Sequence, residues 1–387
     1  MSTLATLAPE TFEEAAAALA AATAEGRRVR IVGAGTKLGW GNPGTPSDTE
    51  LHTTRLDRIL EHNAGDMTAA LEAGVPLELA QRTFADAGQM LALDPPLAGP
   101  GSASGATIGG VVATGDCGPL RHRYGAPRDL VVGVTVALSD GTVARAGGKV
   151  IKNVAGYDLA KLFAGSFGTL GLILSVNVRL HPLHECSVTA LGAATAPPVL
   201  GSAAVALAAA PLEFEALDVA WSGGRGTLLA RCVGAEAPRR ARRATRLMAE
   251  AGLDEVQLSE QDGELWERQR TRQRSEAAAL VRVSVAPTEL AAVLAAVDDC
   301  GGRLVGRAAL GTYYLEVEPG AVDRLRALLA PGAAAVILDA PAALRSRVDP
   351  WGVDAQRRAG ELDLMRRVKL RFDPSVTCNP GVFVGGI

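Results

Sequence analysis

Glycine is spread so unevenly along this chain that it limits what the first half can fold into. Of 44 glycines among 387 residues, 25 fall in residues 1–183, many of them in three short runs. Such runs are tolerated where backbone must adopt positive φ or approach another group closely. The first, Gly33-Ala34-Gly35-Thr36-Lys37-Leu38 with Gly39 and Gly41 beyond it, follows Val29 to Val32, which reads as a short buried strand. The second is Gly105-Ala106-Thr107-Ile108-Gly109-Gly110, continuing to Thr114-Gly115 and preceded by Pro95-Pro96. The third, Gly165 to Gly171, includes Gly168 and has Ile173 on the strand behind it. Each run alone also fits an ordinary tight turn. Together, each abutting a strand, they suit an extended ligand gripped mainly by backbone N–H groups, with Lys37 adding charge beside a pyrophosphate.

A Rossmann site is a poor match. That motif needs G-x-G-x-x-G opening a helix, with an acidic residue some way downstream. Gly33 and Gly35 fit, but Leu38 stands where the third glycine should, and Trp40-Gly41-Asn42-Pro43-Gly44 cannot start a long helix. A dinucleotide would be held here in another way.

The charge balance argues against nucleic acid, because 39 basic and 42 acidic side chains leave a net charge of -3 and no electrostatic footprint for a phosphate backbone. Cys117, Cys186, Cys232, Cys300 and Cys378 are widely spread, with no C-x-x-C pair and no spacing suited to a metal. They read as reduced cytosolic thiols. Met1 to Phe12 has neither a basic start nor an apolar run, so no secretory signal is expected and the chain is placed in the cytoplasm. Cys186 to Leu212 carries no charge, but Pro197-Pro198, Gly192 and Gly201 interrupt it, and it reads as soluble rather than as a membrane span.

Rare residues divide the chain. Lysine occurs only at Lys37, Lys149, Lys152, Lys161 and Lys369, and asparagine only at Asn42, Asn63, Asn153, Asn177 and Asn379. The last histidine is His184, so residues 185–345 hold no Lys, Asn or His. In so arginine-rich a chain, the surviving lysines and asparagines either mark places that need an ammonium or an amide, or are chance and solvated surface. Three segments follow: residues 1–183 as the binding domain, 184–345 as an inserted cap, and 346–387 returning to the first. In the first, Thr11 and Glu14 form a capping box ahead of an Ala-rich helix closed by Gly26. Strands are expected at Thr68 to Glu72 and Gly171 to Leu180, and Asp140-Gly141 turns Leu130 to Leu138 into a hairpin. The cap alternates strands and helices, as one antiparallel sheet covered by helices on one face. A helix is expected near Glu361 to Lys369.

The strings GAGTKLGWG (33–41), AGQMLALDPP (87–96), GATIGGVVATG (105–115), RDLVVGVTV (128–136), KNVAGYDLAKLFAGSFGTLGLI (152–173) and CNPGVF (378–383) resemble a known family. It is that of FAD-binding flavoproteins of the vanillyl-alcohol oxidase and p-cresol methylhydroxylase (PCMH) type, and within it the FAD-binding subunits of bacterial glycolate oxidases. The resemblance covers residues 1 to about 183 and the C-terminal end. It implies an α+β fold, with a PCMH-type FAD-binding domain of two subdomains plus an α+β cap. It also implies that Gly33, Ala34, Gly35, Thr36, Lys37 and Leu38 bind the pyrophosphate. Pro95, Pro96, Gly105, Ala106, Thr107, Gly109, Gly110, Thr114 and Gly115 would line the cofactor. Gly168 and Ile173 would lie by its adenine and ribose half, and Gly156 and Asn379 nearer the ring. Some relatives tether the flavin through a histidine where this chain has Thr36, so noncovalent FAD is expected.

The substrate side is thinner. Related 2-hydroxy-acid dehydrogenases carry a histidine-rich metal and base cluster in or after the cap, and here no histidine follows His184. No metal site and no catalytic base is assigned; Tyr157, Tyr313 and Tyr314 are the residues that could act near a flavin. The favoured expectation is a subunit of a multisubunit glycolate oxidase. In that complex a homologous FAD-containing catalytic subunit binds the 2-hydroxy acid, and an iron-sulfur subunit passes electrons toward quinone. Membrane attachment would come only through those partners. A self-sufficient 2-hydroxy-acid dehydrogenase and a non-catalytic scaffold are the alternatives.

Overall fold

The chain begins as its capping residues dictate. Thr11 is extended, and its hydroxyl accepts the Glu14 N–H at 3.1 Å to start the helix Phe12–Ala24. The reciprocal arm of the box is displaced by one residue, because the Glu14 carboxylate accepts from the Glu10 N–H at 2.8 Å. The computed structural model describes residues 4–98, 105–148, 158–354 and 356–387. Two units divide them: Met1–Cys117 with Gly125–Leu183 and Val353–Ile387, and Gly118–Tyr124 with His184–Gly352.

In the first unit, Ala15, Leu19 and Ala22 bury one face of the opening helix against Val29, Leu51 and Leu172. Val29–Val32 is a strand, paired in parallel with Thr49–His52, which pairs in parallel with Ala5–Leu7. A second sheet runs in the order Ile59–Asn63, Thr68–Glu72, Leu172–Arg179, Val131–Ala137 and Val143–Gly147, antiparallel throughout. Every residue of Thr68–Glu72 is buried, and its one charged side chain, Glu72, accepts from the Arg58 guanidinium at 2.7 Å. The hairpin turn forms at Gly141, φ +85°, with the Asp140 carboxylate accepting the Thr142 N–H at 2.8 Å.

The second glycine-rich run departs from expectation. It opens a helix, Ile108–Thr114, rather than abutting a strand, with Thr107 as its cap and Gly115 ending it at φ +65°. The Thr107 hydroxyl accepts the Gly110 N–H at 3.3 Å, and the Gly109 N–H donates to the Ala73 carbonyl at 2.7 Å. A Cβ on Gly109 would lie 2.7 Å from the Ala73 Cβ, so glycine lets this helix lie directly on the chain that follows Thr68–Glu72.

The second unit holds one eight-stranded antiparallel sheet, ordered Asp254–Ser259, Ser187–Ala194, Arg225–Val233, Ala216–Ser222, Arg303–Arg307, Thr312–Val317, Ala279–Ser284 and Ala334–Asp339. Helices Pro197–Ala209, Ala237–Glu250, Leu290–Asp299 and Val322–Leu328 contribute to its apolar core. Ala237, Ala241, Ala244 and Met248 recur at helical spacing on the buried face. The charge-free stretch divides into a strand and a helix, with Pro197-Pro198 in the first helical turn, where a missing N–H costs nothing. No helix among the described residues is long and apolar enough to cross a membrane.

Segment 118–124 belongs to this unit although it lies between two segments of the first. The Arg307 guanidinium donates to the Gly118 carbonyl at 3.1 Å, and the Tyr124 hydroxyl donates to Glu215 at 3.2 Å. Burial and the Glu215 carboxylate push the Tyr124 hydroxyl far above the usual phenol range.

Candidate functional site: a glycine-walled cleft in the first unit

A cleft of about 260 Å³ opens in the first unit where strand Val29–Val32 ends. Three backbone segments meet there. The first glycine-rich run leaves the strand, with Gly35 at φ +78°. The helix Ile108–Thr114 supplies the second wall, and the turn at Phe167 and Gly168, φ +56° and +70°, supplies the third. That turn hangs on the helix's open end: Gly165 N–H donates to the Val112 carbonyl at 2.9 Å and Phe167 N–H to the Ala113 carbonyl at 2.8 Å. Carbonyls that a helix leaves unpaired at its C-terminus are thereby satisfied.

The C-terminal loop closes the arrangement. The Asn379 side-chain carbonyl accepts the Ile31 N–H at 2.7 Å, and its amide donates to the Phe167 carbonyl at 2.6 Å. Asn379 itself sits at φ +42°, a conformation asparagine tolerates better than most residues. Behind it, the Lys369 ammonium is buried and donates to Asp373 at 2.5 Å, to the Thr169 carbonyl at 2.6 Å and to the Cys378 carbonyl at 2.9 Å. Asp373 accepts in turn from the Thr377 and Cys378 N–H groups at 3.1 and 2.8 Å. The ion pair is fully hydrogen-bonded, the condition under which buried charge persists. Burial and the Asp373 carboxylate push the Cys378 thiol far above its ordinary value, so it stays neutral.

Of the residues singled out from the sequence, Gly33, Ala34, Gly35, Thr36, Lys37, Leu38, Thr107, Gly109, Gly110, Thr114, Gly168, Ile173 and Asn379 line this cleft. Pro95, Pro96, Gly105, Ala106 and Gly115 do not. Pro95 and Pro96 are buried ahead of a stretch outside the described residues, and Gly105 and Ala106 lead into the helix cap. Gly156 and Tyr157 lie outside the described residues. Cys117 is 2% exposed and is absent from the lining. The sequence reading missed Trp40, Asn42, Ser47, Phe167 and Val382, which line the cleft too. Asn42 carried a usable signal as one of the few asparagines: its amide donates to the Gly381 and Phe383 carbonyls at 3.2 and 2.9 Å.

Lys37 behaves differently from the sequence reading. Its ammonium lies 3.2 Å from the Asp116 carboxylate, so its charge is already balanced inside the protein. What the cleft offers an anion is backbone. The N–H groups of Gly35 and Gly168 have no hydrogen-bond acceptor among the described residues, and a Cβ at Gly33 would sit 2.4 Å from the Thr107 hydroxyl. Donors on walls that admit no side chain fit a bound diphosphate. The second unit contains His122, brought there by segment 118–124, and His184. Burial holds the His122 imidazole below its ordinary value, in the neutral form at neutral pH. Tyr313 and Tyr314 are buried in the same unit, and burial pushes the Tyr313 hydroxyl far up. Among the described residues no group of three His, Cys, Asp or Glu side chains is placed to hold a metal ion.

Residues 3–147 match the FAD binding domain family, and FAD is the cofactor of this chain. Among curated proteins it is similar to the glycolate oxidase subunit GlcE of Escherichia coli, 35% identical over 159 residues. It is similar also to the glycolate oxidase subunit GlcD of Bacillus subtilis, 37% identical over 166 residues, and to a D-lactate dehydrogenase of Archaeoglobus fulgidus, 35% identical over 185 residues. These matches cover 41%, 42% and 47% of this chain, and 44%, 34% and 40% of the relatives, so less than half of each relative is spanned. Among solved structures, an alkyldihydroxyacetonephosphate synthase superposes with a TM-score of 0.67 at 15% identity, over 97% of this chain and 75% of that one. That likeness shows the fold alone, a mixed α+β one with antiparallel sheets.

Proposed function

We propose that this chain is an FAD-binding subunit of a multisubunit 2-hydroxy-acid oxidase, with glycolate as substrate and glyoxylate as product. The observation that carries the reading is the cleft, whose glycine walls coincide with the segments expected to grip FAD, in a chain 35% and 37% identical to two proteins named glycolate oxidase subunits. Bound FAD supplies the two-electron acceptor for oxidation of a hydroxyl-bearing carbon. The chain's own residues bind and orient it: Gly35 and Gly168 present N–H donors, while Asn379 and Lys369 hold the third wall in place. Thr36 offers no nucleophile comparable to a histidine at that place, and the flavin is noncovalent in this reading.

Removing a proton from the substrate needs a base. No histidine follows His184 in the sequence, and no base is assigned to this chain. The reading therefore gives substrate oxidation to a homologous FAD-containing partner and onward transfer toward quinone to an iron-sulfur partner. An anaerobic visible spectrum of the purified chain, before and after glycolate, then with co-expressed partner subunits, tests it. Bleaching of the flavin only with partners is expected. Bleaching by the chain alone would make it self-sufficient, and absence of flavin under every condition would make it a scaffold.

A further inference from the structure

We infer that Asp116 and Lys37 are a positioning pair that sets the spacing of the first two glycine-rich segments, leaving the cofactor's diphosphate to backbone amides rather than to the lysine ammonium. The inference rests on the reading that FAD occupies this cleft. Lys37 lies in the loop leaving strand Val29–Val32, and Asp116 follows the left-handed Gly115 that ends helix Ile108–Thr114. Their side chains are 4% and 2% exposed, with Nζ and Oδ2 3.2 Å apart. Within its own loop, the ammonium donates to the Thr36 hydroxyl at 3.3 Å and stands 5.9 Å from the centroid of the buried Trp40 ring.

Two physical points favour a strut over a phosphate contact. A carboxylate this close cancels the lysine's field in a poorly solvated site, so an ammonium meant for a phosphate would be weakened by the residue beside it. A buried carboxylate is also costly unless paired, and the pair persists only when both members are held. Fixing Lys37, and with it the first segment, against the end of the helix that carries the second gives the buried Asp116 carboxylate the cation it needs.

The test is a titration of the apoprotein with FAD, read by flavin fluorescence at low and high salt, for wild type, Lys37→Met, Asp116→Asn and the double variant. Apoprotein melting temperature is measured on each. Either single substitution leaves a buried charge unpaired and is expected to weaken FAD binding by about tenfold or more, while the double variant recovers most of the loss. The double variant is also expected to keep the wild-type salt dependence, since the ammonium does not face the phosphates. Tighter binding by Asp116→Asn than by wild type, a flattened salt dependence in the double variant, or a double variant no better than the singles would each overturn the pair. If the singles do not fold, the double variant decides by its salt dependence. Gly33→Val is the separate control: unchanged FAD binding in it would overturn the cleft reading, whatever the pair does.

Discussion

The two units bury charge in different ways. In the first, the buried cations are lysines, and two lysines reach backbone: Lys369 holds two carbonyls as well as Asp373, and the partly buried Lys161 donates to the Val131 carbonyl at 2.7 Å, while Lys37 pairs with Asp116. In the second, the cations are arginines; two of them fork onto carboxylates, while Arg307 and Arg326 donate to backbone carbonyls. Arg274 contacts Asp339 through Nε at 2.8 Å and Nη2 at 3.1 Å, and Arg231 grips Asp262 at 3.1 and 3.3 Å. A compact ammonium can sit among converging carbonyls, whereas a planar guanidinium matches a flat carboxylate lying across a sheet.

That contrast can be broken first at Lys369. Lys369→Met strands Asp373, which is fully buried, and is expected to cost about 3–5 kcal/mol and to release the flavin, as measured by urea unfolding and by flavin retained on gel filtration. Arg274→Met removes a less buried partner, 9% exposed, from Asp339 and should cost about 3 kcal/mol while FAD affinity stays at the wild-type value. A loss of flavin there would show that the two kinds of ion pair are not separate in their effects.

A smaller effect is expected at Asp218. Burial pushes its carboxyl up to about 7, against the opposing pull of Arg307. Between the ordinary value of 3.8 and about 7 the unfolded chain gives up a proton that the folded unit keeps, so stability falls as pH rises through that window and levels off above it. Asp218→Asn should remove this slope, raising the melting temperature at pH 8 and leaving it nearly unchanged at pH 4. Smallest of all is Thr36→Ala, which takes away one hydroxyl acceptor from Lys37. It should weaken FAD binding by about threefold, within the range of a single neutral hydrogen bond, and leave the flavin releasable by acid.

How much of this could be read from the sequence depends on how local each cause is. Val29–Val32 and Thr68–Glu72 are strands where the sequence leads one to expect them, because glycine punctuation and side-chain type act over a few residues. The cleft's first wall was legible for the same reason. The second run opens a helix instead of abutting a strand, because Gly109 serves a close contact with Ala73, which lies far back in the chain. Asn379 was expected beside the ring, yet its amide is engaged by Ile31 and Phe167, both more than two hundred positions away. Lys37 was expected to add charge beside a pyrophosphate, and nothing near it in the sequence announces Asp116, 3.2 Å from its ammonium. Segment 118–124 carries no compositional mark, and only its anchors, Arg307 and Glu215, reveal where it belongs.

The loan of that segment has a consequence for how the protein can be cut. A single break between Leu183 and His184 would not separate the two units cleanly. The N-terminal piece would carry off Gly118–Tyr124, on which Arg307 and Glu215 close, and the C-terminal piece would carry off Val353–Ile387, with Lys369 and Asn379. Each fragment would lack a stretch that only the other can return, so the halves should complement when co-expressed and be insoluble apart. Deletion from the C-terminal end alone, even far from the glycine runs in sequence, should unfasten the flavin cleft.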